Sequence, residues 1–144
     1  MIRDISKFNE WQPASFDGQF HWEFLKGAFG PSIMPMDMDA VIERNGYFLV
    51  IETKNNENVA IPYGQKLSLK TLAKTGYFSV MILYGKSPDK ITSYQLWYGD
   101  KEYTVKPADA EMVYSRCSSW YSYVNSLPKP EYLTELSGNL EDDL

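Results

Sequence analysis

Asn45-Gly46 sits between two runs rich in β-branched, aromatic and aliphatic residues, and it constrains this 144-residue chain more than any other feature. The runs are Met38 to Glu43 (MDAVIE) and Tyr47 to Thr53 (YFLVIET). A two-residue type I′ turn needs positive φ at both central positions, which Asn and Gly accept most readily, so the segment reads as a β-hairpin. Such a turn also fixes register. Arg44 faces Tyr47, the later pairs step outward symmetrically, and Asp39 is expected opposite Glu52. That pair falls at a non-hydrogen-bonded position, where opposed Cα atoms lie about 4.5 Å apart.

One face of the hairpin carries Asp37, Asp39, Val41 and Glu43 against Phe48, Val50, Glu52 and Lys54, passing from an apolar middle to a charged end. The other face carries Ala40, Ile42, Leu49 and Ile51 and reads as core. Two carboxylates held this close repel unless a cation lies between them. A hard divalent ion with oxygen ligands removes the conflict, and Lys54 then supplies charge for an oxyanion, a constellation suited to phosphodiester hydrolysis. A salt-bridge ladder in which Lys54 neutralises Asp37 or Asp39 explains the same residues without chemistry.

The rest of the chain supplies partners for the hairpin. Phe16, Phe20 and Phe24 recur at helical spacing and predict a helix from about Phe16 to Lys26, ended by Gly27, Gly30 and Pro31. Ile61 to Lys74 reads as a second helix with Leu69, Leu72 and Ala73 inward, and Tyr77 to Tyr84 as a strand buried on both faces. Strand, helix, strand in that order predicts a parallel crossover. A second hairpin, Ile91 to Tyr98 and Glu102 to Lys106, turns at Gly99-Asp100. Asp109 to Val124 then reads as a helix with Met112, Val113, Cys117, Trp120, Tyr121 and Val124 on its apolar side. The sum is an α/β or α+β domain around one twisted mixed sheet, a single domain over residues 1–130.

Composition narrows the chemistry. One cysteine, Cys117, and one histidine, His21, exclude an intramolecular disulfide and any zinc site built on paired cysteines, and leave Ser-His or Cys-His catalysis poorly served. Cys117 reads as a small buried hydrophobe. No apolar run approaches the ~20 residues of a membrane helix, and the opening residues have no hydrophobic stretch after their charges, so a cytoplasmic protein without membrane association is expected. The net charge is −5, but residues 131–144 hold five acids and no base, so the rest of the chain is neutral. Residues 44–106 hold nine Lys or Arg against five acids. The acidic end reads as a mobile tail, and the middle is mildly basic.

The pattern Pro35 to Asp39, then the apolar run and Glu52-Thr53-Lys54 (FLVIETK from Phe48), resembles the PD-(D/E)XK nuclease superfamily. The resemblance covers Phe20 to Tyr84 and implies a restriction-endonuclease-like core. It implies that Asp39, Glu52 and the Thr53 carbonyl bind Mg²⁺ or Mn²⁺, with Asp37 the rival for the aspartate position. Lys54 would orient the attacking water or stabilise the pentavalent phosphate. Glu23 matches the family's helical acid, and Gln65 the glutamine that some branches use to position the lysine or a phosphate. Only about ten residues, Gly30 to Met38, are available for the strand that many members place before the aspartate, so that strand is short or missing.

Lys66, Lys70 and Lys74 recur on one face of the second helix and read as a stripe for the phosphate backbone of DNA. Tyr94, Trp97, Tyr98 and Tyr103, with Trp120, Tyr121 and Tyr123, are available for stacking, core or a subunit interface. The expectation is a metal-dependent DNA nuclease, structure-selective in the manner of Holliday-junction resolvases and acting as a homodimer. The alternative is a non-catalytic module that keeps the fold and binds nucleic acid or protein.

Overall fold

The computed structural model describes residues 20–133, which divide between Asp37 and Met38 into two units. In the first, the sequence predicts a helix from Phe16 to Lys26. Residues 16–19 lie outside the described part, and the rest of the segment forms one turn of 3₁₀-helix, Glu23–Leu25, closed by Lys26 N–H donating to the Glu23 carbonyl at 3.0 Å. The spaced phenylalanine pattern is instead an aromatic cluster: Phe20, Trp22 and Phe24 pack ring on ring at 4.8 to 6.5 Å. Residues 31–38 contain no strand.

The second unit is a five-stranded mixed sheet with a helix on each face. Its strands are β1 (Ala40–Arg44), β2 (Tyr47–Lys54), β3 (Phe78–Tyr84), β4 (Ser93–Tyr98) and β5 (Lys101–Val105), and they lie in that spatial order. Its helices are α1 (Tyr63–Lys74), between β2 and β3, and α2 (Ala110–Ser126) after β5. Strands β2 and β3 are parallel, and the other neighbours antiparallel. Among the described residues no helix is long and apolar enough to cross a membrane.

The hairpin has the anticipated register, Arg44↔Tyr47 through Ala40↔Ile51, with Asn45 at φ 57° and Gly46 at φ 85°. Both faces of β2 are covered. Leu49 and Ile51 join Met81, Tyr94 and Leu96 beneath Val113, Cys117 and Trp120 of α2. Val50, Val80 and Ile82 lie on the α1 side, where Leu69 and Ala73 are buried. Strand β1 departs from expectation. It is an edge, so Ala40 and Ile42, expected in the core, are exposed, Ile42 at 40%, and Val41 on the other face is 48% exposed. Met112 and Tyr121, expected on the apolar side of α2, also face water. Helix α2 is capped by the Asp109 carboxylate, which accepts from Met112 N–H at 2.9 Å.

The hairpin turn is also the anchor of the C-terminal helix. Asn45 Nδ2 donates to the carbonyl of Val124 at 2.7 Å, which also accepts from Leu127 N–H at 3.3 Å, and to the carbonyl of Leu127 at 3.0 Å, so the end of α2 is held on the turn. Tyr47 donates its hydroxyl to Pro128, and Tyr132 donates its own to Gly46. Residues 131–133, placed by sequence in the acidic tail, are therefore folded against the turn, whereas the remainder, 134–144, lies outside the described residues.

A Cβ on Gly46 would lie 2.7 Å from Pro130 Cδ in a backbone conformation that L residues avoid. Gly46→Ala should cost about 2 kcal/mol or more. Asn45→Ala should cost a similar amount, from two lost hydrogen bonds at about 1 kcal/mol each plus left-handed strain. Asn45→Gly, which relieves the strain, should cost less. Urea unfolding checks all three, and midpoints equal to wild type would reject the anchoring role.

Candidate active site

At the carboxyl end of β2 the sheet changes from apolar to polar. Glu52 follows Val50 on the α1 side, opposite Ile82 of β3, and is only 6% exposed. Burying a carboxylate is costly unless its oxygens are bonded. Oε1 is satisfied: Gln65, in the first turn of α1, donates its amide at 2.7 Å, and Lys54 Nζ stands 3.7 Å away. Oε2 is buried without a hydrogen-bond partner among the described residues.

Lys54, two residues on, lies on the same face by strand alternation. Its ammonium donates to Gln65 Oε1 at 3.0 Å, so Gln65 bridges the acid and the base through its two amide atoms. Pro62 precedes the helix, and this start of α1 places Gln65 over Glu52. The structure thus joins three of the sequence candidates, Glu52, Lys54 and Gln65, in direct contact. Among the described residues Lys54 forms no ion pair with Asp39; its ion pair is with Glu52.

Asp39 behaves differently from its expected pairing with Glu52. The β1 ladder ends at Ala40, and Asp39 bonds with its side chain: Oδ2 accepts from Thr53 N–H at 2.7 Å and Thr53 Oγ1 at 2.8 Å. The carboxylate replaces the next rung of the ladder, which satisfies the Thr53 amide. A strand residue directs its N–H and C=O to the same side. The Thr53 carbonyl therefore opens toward Asp39, beyond the end of β1. Glu23 and Asp37 belong to the first unit.

The chemistry of this donor set suits a hard cation. Asp39, the orphaned Oε2 of Glu52 and the Thr53 carbonyl offer oxygen donors, and Mg²⁺ keeps several waters when few protein ligands are supplied. Among the described residues no group of three or more His, Cys, Asp or Glu side chains could hold a metal ion, so such a site would rest on two carboxylates and be rich in water.

The lysine stripe does not survive intact. Lys70 forms an ion pair with Glu102 of β5 and lies 4.9 Å from the centre of the Trp97 ring, and burial together with Lys66 and Lys74 lowers its pKa. Lys66 and Lys74 are exposed, and Lys66 borders a crevice of about 360 Å³ with Tyr84 and Gln95. Cys117 is half-buried, and its thiol is pushed up by burial, the condition of an unreactive cysteine.

Comparison with known proteins finds no matching family model, no matching curated sequence and no matching solved structure.

Sequence patterns give no sign of Glu57, in the loop from β2 to α1. It accepts from Ser93 at 2.6 Å, Thr92 at 3.0 Å and Lys106 at 2.6 Å, tying this loop to β4 and the end of β5. No local spacing could have found it, because these partners lie 35 to 49 residues away. The bonds from Lys106 and Ser93 lower its pKa from 4.5 to about 2. A depressed carboxyl stabilises the fold above its unfolded pKa and loses that contribution as pH falls through the folded value. Glu57→Gln should therefore lower the melting temperature at neutral pH and flatten its decline between about pH 4.5 and 2. Thermal melts across that range test this, and parallel wild-type and variant curves would reject it.

Proposed function

We propose that this protein is a metal-dependent nuclease that hydrolyses DNA phosphodiester bonds. The observation that carries the reading is the buried Glu52 carboxylate, one oxygen held by Gln65 and the other without a partner, two residues before Lys54. A buried carboxylate in a purely structural role normally has hydrogen-bond partners on both oxygens. An acid kept partly unsatisfied beside a lysine, at the carboxyl end of parallel strands, fits a site that completes itself with a ligand.

Each residue has a defined task. Asp39, Glu52 and the Thr53 carbonyl would hold Mg²⁺ or Mn²⁺, which when bound neutralises phosphoryl charge and makes water easier to deprotonate. Lys54, restrained through Gln65, places its ammonium toward the non-bridging phosphoryl oxygens and stabilises the charge that builds up as water attacks. Water adds to phosphorus in line with the leaving oxygen. The bond to that oxygen breaks, and the proton lost by water is returned to it. Lys66 and Lys74 offer exposed charge to the phosphate backbone, which favours a distorted or branched substrate over tight binding to uniform duplex. A homodimer of the resolvase type would supply two such sites. A non-catalytic binding module is favoured by one feature, the prior engagement of Asp39 with Thr53.

Cleavage of supercoiled plasmid, linear duplex, single strand and a four-way junction with Mg²⁺ or Mn²⁺ separates these readings. Glu52→Gln and Lys54→Ala should each lower the rate by about a hundredfold or more, with circular dichroism unchanged. Calorimetry should show metal binding that Asp39→Ala removes. A wild type silent on all four substrates, or variants that cut equally well, would leave the binding module.

A further inference from the structure

The opposite face of the sheet carries a feature with no part in this chemistry. Five strands at about 4.8 Å spacing make a sheet about 19 Å wide between its outer strands, whereas a helix with its side chains is only about 10 to 12 Å across. Among the described residues α2 is the helix on this face, and with Ala108 it packs over Leu49, Met81 and Tyr94. The flank toward β4 and β5 is left as a cavity of about 660 Å³. Its walls are Met81 and Leu96 from the floor, Tyr103 from β5, and Trp120 and Tyr123 from α2, with Arg116 also lining it. The aromatic residues of the late hairpin and of the last helix, separate in sequence, thus converge on one space.

Helix α2 builds its side of the cavity by periodicity. Val113, Cys117, Trp120 and Val124 form the stripe on the core. Arg116, Ser119, Trp120 and Tyr123 form the adjacent stripe, at spacings of three and four, and front the cavity. Ser119 is too short to fill it. Among the described residues Arg116 has no ion pair, and its one bond is from Nε to the Tyr94 hydroxyl at 3.5 Å, which leaves the terminal guanidinium nitrogens available. The other charged group bordering the space, Glu102, is already paired with Lys70.

We propose that this cavity binds a small planar aromatic carboxylate, its ring between the Tyr103, Trp120 and Tyr123 side chains and its carboxylate on Arg116. The volume is that of a small-molecule site, and apolar walls with one orienting polar group are the usual composition of such sites. Ring surfaces favour a flat ligand over a flexible chain. A guanidinium with both terminal nitrogens open selects a carboxylate by paired hydrogen bonds.

The test uses naphthoate and its neutral counterpart naphthylmethanol, followed by quenching of tryptophan fluorescence and by the shift in melting temperature. Wild type should bind both saturably, naphthoate more tightly. Arg116→Met should weaken naphthoate by about tenfold or more while changing naphthylmethanol by less than about twofold. Ser119→Trp, at an exposed helix position, should fill the space and abolish both without lowering the melting temperature of the free protein. Absence of saturable binding to wild type would overturn the proposal, as would affinities indifferent to both substitutions. Because the nuclease residues are untouched, neither result bears on the phosphodiester reading.

Discussion

Two consecutive residues with left-handed backbone conformation, Asn45 and Gly46, determine more of this structure than any buried contact. Their dihedral angles close the β1-β2 hairpin and so decide which side chains of β2 face which helix. A slip of one residue would exchange Glu52 for Ile51 on the α1 side. The same turn is bonded to the end of α2, through the Asn45 amide, although the two are 79 residues apart at Val124. Arg44 adds a hydrogen bond to Asn125 and a cation over the Tyr121 ring. Local strand register and the placement of the last helix therefore depend on one small piece of backbone. Gly46 could not be replaced without disturbing both.

With register decided, the position of the charged group comes from strand alternation. Glu52 occupies the row after Val50, and its neighbour across β3 is Ile82, so on this row the acid has no charged partner in the adjoining strand. The partners come from beyond the strand instead: Lys54 from the next row, Gln65 from the helix that the crossover returns over the sheet. Burial without such partners would be prohibitive, and the one oxygen left over is an expense a purely structural acid could avoid.

The hairpin, the crossover and the late hairpin are legible in the sequence because each rests on local chemistry: positive-φ turn residues, a buried apolar run, and Gly99-Asp100 between two strands. Agreement between sequence and fold fails where a second interaction competes. Alternation alone makes Asp39 a rung opposite Glu52, but β1 is an edge strand, and a short carboxylate at its end bonds the Thr53 amide more directly than another rung would. Helical spacing makes Lys70 one of three equivalent lysines, yet it lies over Trp97 with Glu102 within reach, and neither partner is visible in that spacing. The apolar residues of β1 look like core because alternation reports which face a side chain takes, not whether anything covers that face. Glu57 is invisible because its bonds are all long-range.

The two helices divide the sheet unevenly, and both unassigned features of the molecule result from that division. Helix α1 enters from the end of β2, so its first turn lies over the carboxyl ends of the parallel pair, and polar side chains there meet the start of a helix instead of an apolar roof. Helix α2 enters from the far edge through Asp109 and is drawn across the face toward Asn45 at its other end. It shelters Val105 at the end of β5 but not the start of that strand, where Tyr103 is exposed. A sheet of five strands with one helix per face leaves apolar surface on the side where the helix runs diagonally, and here that surface is rich in rings beside the Arg116 guanidinium, which forms no ion pair among the described residues. The polar end and the aromatic cavity lie on opposite faces, share no side chain, and can be altered independently.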